Sequence, residues 1–199
     1  MLVNERELID RARSGDRDAF RQIVEMHKKN LFYLAYDLTG SNEDAEDLSQ
    51  DAFLKAFRSF DRFKGDSSLS TWLYRITVNT FLDQTRRSSF KYEKKRQEMT
   101  EYVAAEAALP ESPGGMSSPE AFADAGQLKA HIARSLEHLT SRERSVFALR
   151  FYQQMSVRNV AQTLEVSEGT VKSLFSRALK KMGTALTSYR QPGRSEVGK

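Results

Sequence analysis

No cysteine occurs among the 199 residues. That absence excludes disulfides, thiol nucleophiles and cysteine-ligated zinc, and it suits a reducing compartment. No run reaches the roughly 18 apolar residues that a membrane-spanning helix needs. The opening stretch, MLVNERELIDRARSGD, has no apolar core followed by small residues, so it does not read as a signal peptide. These absences together point to a cytoplasmic protein with no membrane insertion. Strand signals are weak throughout and no internal repeat is visible. Three of the four prolines fall between Pro110 and Pro119, which leaves long stretches free to be helical.

The formal charge of +4 and a pI near 9.3 are compatible with a polyanionic partner but too mild to demand one. The length suits one medium domain or two small helical ones. Asn4-Glu5-Arg6-Glu7 reads as a capping box that opens a short helix ending at Gly15. Asp16 starts a longer helix in which Phe20, Ile23, Val24, His27, Leu31, Leu34, Ala35 and Leu38 recur at helical spacing, and Thr39-Gly40-Ser41-Asn42 ends it. His27 lies on this apolar stripe and reads as a packed histidine rather than a ligand.

The next helix, about Asn42 to Phe60, buries Ala45, Leu48, Ala52 and Ala56, widened by Phe53 and Phe57. From Glu43 to Phe57 it carries five acids against the single base Lys55. Asp47, Gln50, Asp51 and Leu54 fall at i, i+3, i+4 and i+7 and share a separate face. Three readings of that face compete: a solvated surface, a two-metal carboxylate site, and a dock for a basic partner. The metal reading is weakest, because adjacent acids diverge round a helix axis and no histidine lies nearby.

A loop, Phe63-Lys64-Gly65-Asp66-Ser67-Ser68-Leu69-Ser70, ends at an expected N-cap on Ser70. The helix from Thr71 to about Arg86 places Trp72, Arg75 and Asn79 on one stripe: an aromatic, a cation and an amide. Such a set stacks on unpaired bases and reads base edges, although a lone tryptophan is as readily a packing residue. Arg86 and Arg87 close the segment.

Between Ser88 and Ser118 the composition changes. Lys91, Lys94, Lys95 and Arg96 precede an Ala/Glu stretch, then three prolines and two glycines fall within ten residues, which reads as a flexible connection. Ser118-Pro119-Glu120 opens a second unit, with a helix to Leu139 and a capping box at Thr140-Ser141-Arg142-Glu143. His131 and His138 stand two turns apart with no other ligand and read as surface residues. Ser156 caps a short helix, Val157 to Leu164, and the turn Glu165-Val166-Ser167 leads into a longer one from Glu168. Two helices joined this way form a helix-turn-helix. Val171, Leu174, Phe175 and Ala178 would pack inward, with Lys172, Ser173, Ser176, Arg177 and Lys180 outward. From Leu128 to Thr187 there are ten Lys/Arg against four Asp/Glu, a local excess suited to a phosphate backbone. The alternative is a helical hairpin with a solvated basic face. The tail after Tyr189 reads as disordered.

Asp44-Ala-Glu-Asp-Leu-Ser-Gln-Asp-Ala-Phe53 and Ser70-Thr-Trp-Leu-Tyr-Arg-Ile-Thr-Val-Asn79, followed by a linker and a helix-turn-helix, resemble the extracytoplasmic-function (ECF) sigma factors of bacterial RNA polymerase. The helix-turn-helix alone is also similar to the DNA-binding domain of LuxR-type regulators; the N-terminal half decides between them. The resemblance runs from about Glu5 to Met182 and implies an all-α protein of two small helical domains. Residues 1–90 would be sigma region 2, 91–118 a flexible linker, 119–187 sigma region 4, and 188–199 a disordered tail.

The resemblance further implies a promoter-specificity subunit rather than an enzyme, with no catalytic residue, metal or cofactor of its own. Its partners would be core RNA polymerase (β′ clamp coiled coil and β subunit), promoter DNA and an anti-sigma factor. Asp47, Gln50, Asp51 and Leu54 would dock on the basic clamp. Lys64, Gly65, Asp66, Ser67, Ser68, Ser70, Thr71, Trp72, Arg75 and Asn79 would melt and read the −10 element, with Arg86 and Arg87 on phosphates. Ser167, Gly169, Thr170, Lys172, Ser173, Ser176, Arg177 and Lys180 would meet the −35 element in the major groove. Three positions depart from the family's habit: Leu174 and Leu179 stand where arginine is frequent, and Asn159 where glutamate is frequent. The promoter sequence is therefore not transferable from a relative.

Overall fold

The computed structural model describes residues 5–100, 135, 136 and 138–187, with side chains described at 5–88, 135, 136 and 138–184. Among these residues every regular element is a helix. The expected cap at Asn4, the helix before Leu136, most of the linker and the C-terminal tail lie outside the described residues.

Helix α1 (Glu5–Arg13) buries Leu8 and Ala12. Helix α2 (Arg17–Thr39) starts where Asp16 accepts hydrogen bonds from the backbone N–H of Asp18 (2.9 Å) and Ala19 (3.0 Å). Those bonds, with one from Arg11, hold the Asp16 carboxyl below its ordinary range. The helix ends at Gly40, whose φ of 78° is the left-handed C-cap that glycine adopts without strain. His27 is buried on the apolar stripe, and its Nε2 lies 3.0 Å from Glu5 Oε1. It ties α1 to α2 as a packed residue.

Helix α3 (Asn42–Arg58), capped by Ser41, buries Ala45, Leu48, Ala52 and Ala56 as the spacing predicts. It stops two residues before Phe60, which opens a 3-10 turn (Phe60–Arg62). Helix α4 spans Leu69–Thr100. Its start is earlier than expected: Ser68, not Ser70, accepts from the N–H of Thr71 (3.2 Å). It also continues past Arg86, because no proline or glycine occurs before Thr100 and the Lys/Glu/Gln/Arg run consists of good helix formers. Thr77 and Thr80 are buried on α4, and each hydroxyl donates to the carbonyl one turn back, Leu73 (2.9 Å) and Ile76 (2.8 Å), which removes the cost of burying it.

Beyond the linker, α5 (Ser141–Phe147) opens on the capping box: Thr140 Oγ1 accepts from the N–H of Glu143 and the Glu143 carboxylate accepts from the N–H of Thr140. A π-helical turn (Ala148–Tyr152) follows, with Phe147 and Phe151 stacked at 5.1 Å between centroids. Helix α6 (Val157–Leu164) is capped by Ser156. Glu165 adopts the left-handed conformation (φ 55°) in the turn, and α7 runs over Glu168–Thr187. Val171, Leu174 and Ala178 are buried and Phe175 half-buried, as a helix-turn-helix requires.

One apolar cluster lies wholly within the first half. Phe20 meets Phe57 and Phe60 edge-on (5.1 and 5.3 Å), and Phe60 and Phe63 flank Trp72 (5.6 and 5.2 Å). A second cluster crosses between the halves, uniting Leu34, Leu38, Val78 and Phe81 with Val146, Leu149, Met155 and Val160. The two halves therefore share a core.

Candidate nucleic-acid and polymerase interfaces

The buried alanines and leucine of α3 turn its acidic face outward. Asp47, Gln50 and Asp51 are exposed, and Leu54 is 55% exposed beside them. A leucine held that far into water amid acids is unusual for a merely solvated face. Asp51 Oδ2 accepts from Gln84 Nε2 of α4 at 3.0 Å, so one carboxylate is positioned and Asp47 projects a turn away. Among the described residues no group of three acids or histidines converges as a cation site.

The loop before α4 exposes Lys64, Gly65, Asp66, Ser67 and Ser68. Gly65 has a φ of 81°, a backbone conformation that favours glycine. Ser68 and Thr71 share a hydrogen bond between hydroxyls at 2.9 Å. Ser70 and Thr71 lie inside the first turn of α4 and are half-buried. Trp72 is also half-buried against Phe60 and Phe63, so it serves packing while keeping part of its ring accessible. Asn79 is exposed. Arg75 is half-buried and donates to the carbonyl of Gln162 in α6. The sequence alone held no signal for that contact. Arg86 pairs with Asp83 at 2.5 Å, and Arg87 is exposed beside it.

On α7, Gly169, Lys172, Ser173, Ser176, Arg177 and Lys180 are exposed on one side of the helix, and Thr170 is half-buried. Ser167 is the N-cap in effect: its Oγ accepts from the N–H of Thr170 at 3.1 Å. The helix thus presents its positive end and a row of donors to an anionic groove. Leu174 is only 7% exposed and belongs to the core, so an arginine there could not reach DNA without unpacking the motif. Leu179 is 45% exposed and lies on the surface.

Two groups at the junction were not singled out in the sequence. Arg144 donates to the carbonyls of Leu136 and Leu38, each at 3.0 Å, and the second of these crosses to α2. Asp37 of α2 is pushed up to about 7 by burial. It lies close enough to Tyr152 to raise that phenol, whose shift comes first from burial and then from Asp37.

Residues 23–90 match the family model for Sigma-70 region 2, and residues 130–182 match that for Sigma-70, region 4. The chain is 30% identical over 184 residues to the ECF RNA polymerase sigma factor SigW of Bacillus subtilis, covering 89% of this chain and 92% of the relative. It is 32% identical over 174 residues to the ECF RNA polymerase sigma-E factor of Escherichia coli, covering 86% and 88%. Among solved structures, the sigma factor RpoE of Bartonella quintana, in complex with the anti-sigma factor NepR, superimposes with a TM-score of 0.61 at 26% identity, over 86% of this chain and 98% of the other. CnrH, in complex with the cytosolic domain of CnrY, shares the fold with a TM-score of 0.62 at 24% identity, over 92% and 97%.

The architecture and these matches define a sigma-70-type transcription initiation factor, a DNA-binding class and not a catalytic one. Identity at this level along most of the chain carries the assignment further: the protein belongs to the ECF family of RNA polymerase sigma factors. Its function is to associate with RNA polymerase and confer promoter specificity.

Proposed function

We propose that this sigma factor divides its work among three surfaces on two domains, residues 1–90 and 119–187. Asp47, Gln50, Asp51 and Leu54 dock on the basic β′ clamp of core polymerase. The loop from Lys64 to Ser70, with Thr71, Trp72, Arg75 and Asn79, holds melted −10 DNA, and Arg86 and Arg87 steady its phosphates. Unstacking a base costs a few kcal/mol, which stacking and hydrogen bonds in the loop offset. Ser167, Gly169, Thr170, Lys172, Ser173, Ser176, Arg177 and Lys180 meet the −35 major groove. The protein itself carries no catalysis; polymerase supplies the chemistry, in the cytoplasm. An anti-sigma factor restrains it, a reading supported by the anti-sigma complex of the Bartonella relative.

The observation that carries the docking assignment is Leu54, held in water on a face of acids that α3's own packing has turned outward. The test is binding of the purified chain to core RNA polymerase beside an Asp47→Lys/Asp51→Lys variant. Tight binding by the wild type and its loss in the folded variant is the expected result. Equal binding by both would move the docking face elsewhere, and no binding by the folded wild type would overturn the reading.

A further inference from the structure

Two arginines cross the junction between the halves in opposite directions. Arg75 of α4 donates to the carbonyl of Gln162, in the last turn of α6. Arg144 of α5 donates to the carbonyl of Leu38, in the last turn of α2. Each guanidinium meets a helix C-terminus, where unsatisfied carbonyls concentrate partial negative charge, so both bonds are charge-assisted. The contact also places the promoter-reading stripe against region 4. Asp66, Ser67, Thr71, Trp72 and Arg75 line a cavity of about 300 Å³ whose far wall is Gln162 and Thr163.

This arrangement cannot hold both promoter elements. By their names the −10 and −35 sites stand about 25 base pairs apart, roughly 85 Å of duplex at about 3.4 Å per step. Glu168, the first residue of the recognition helix, follows Gln162 by six residues, which span about 20 Å even fully extended. A chain whose Arg75 is bonded to Gln162 therefore keeps its two DNA readers several-fold too close. The junction is also built less completely than the cores it joins. The cavity is unfilled, and Thr163 Oγ1 is buried without a hydrogen-bond partner. A contact with a void and an orphaned hydroxyl separates at lower cost than a close-packed core.

We propose that the free chain is held closed by this pair of arginine latches, with region 4 covering the Trp72–Arg75 stripe until core polymerase separates the halves. Arg75 is the shared element. Its guanidinium bonds either α6 or promoter DNA, so closure and −10 recognition exclude each other. The inference rests on the promoter-reading assignment for its consequence, but the latch itself is measured without DNA.

Because the chain has no cysteine, spin labels at Lys29→Cys on α2 and Thr184→Cys on α7 report the separation of the halves by electron–electron resonance. The free protein should give one short-distance population, and core polymerase should replace it with a longer one. Arg144→Ala and, separately, Arg75→Ala should each lower the closed-to-open ratio about tenfold, the effect of losing one charged hydrogen bond, with helical circular dichroism unchanged. A broad distribution in the free wild-type chain would overturn the proposal. So would a distribution that neither folded arginine variant alters. A wild-type chain that stays closed yet binds no polymerase would overturn the promoter-reading assignment and leave the latch standing.

Discussion

Lys181 Nζ lies 2.7 Å from Glu143 Oε2, which ties α7 to the residue that closes the capping box of α5. Glu143 is buried, and burial alone would raise its carboxyl. The hydrogen bonds from Lys181 and Thr140 outweigh that and hold it below its ordinary value of 4.5. A depressed carboxylate contributes stability above the unfolded-state value and loses it as pH falls through the folded one. Glu143→Gln should therefore lower the stability of the folded chain by about 1–2 kcal/mol at pH 7. The difference from wild type should shrink steadily as the pH drops below 4.5. Thermal unfolding at a series of pH values checks this, and a difference independent of pH would contradict it.

Leu174 and Leu179 are both leucines on the recognition helix, yet their surroundings predict opposite behaviour. Leu174→Arg forces a charge into the helix-turn-helix core and should cost about 3 kcal/mol or more. Leu179→Arg adds a cation to an exposed position and should change stability by no more than about 0.5 kcal/mol. Where it reaches a phosphate, it should steepen the salt dependence of promoter binding by close to one counterion. Denaturant unfolding and a salt titration of promoter binding by the polymerase complex separate the two variants.

The parts of the fold that sequence foresaw are those written in local spacing. The Ala45-Leu48-Ala52-Ala56 stripe, the Gly40 stop and the Thr140–Glu143 box each need only neighbours within one or two turns. The start of α4 was misplaced because Ser67, Ser68 and Ser70 all have a capping side chain, and only the loop geometry selects Ser68. The continuation of α4 was hidden by a basic run that reads equally well as a connection or a solvated helix. The latch had no local signal at all: Arg75 and Gln162 stand 87 residues apart and the acceptor is a backbone carbonyl. Trp72 was legible as important, but its packing against Phe60 and Phe63 depends on the 3-10 turn that follows α3.

Asp37 supplies a second pH dependence with the opposite sign. Burial raises its carboxyl from 3.8 to about 7, so the closed fold favours the protonated form. Stability from this group is fully present below 3.8 and is lost as pH rises through 7. Asp37→Asn should stabilise the chain at pH 8 by roughly 1–2 kcal/mol, after allowance for solvent screening on its open side. It should do nothing at pH 4. Urea unfolding of both proteins at the two pH values tests this, and an equal gain at both would rule out ionisation as the cause.

Trp72 is the chain's only tryptophan, and it faces the junction cavity beside Gln162 and Thr163. Its indole is half-buried between Phe60, Phe63 and the space that α6 closes. Moving α6 away replaces a protein wall with water, and an indole's emission shifts to longer wavelength as its surroundings become more polar. Arg144→Ala lies on the other side of the junction and does not touch Trp72, so a red shift in that variant reports opening rather than a local change. The shift should be present in the free variant, absent in the free wild type, and accompanied by easier quenching by iodide. Emission that is unchanged in folded Arg144→Ala, with unchanged quenching, would mean that α6 still covers the indole and that the second arginine bond does not hold the halves together.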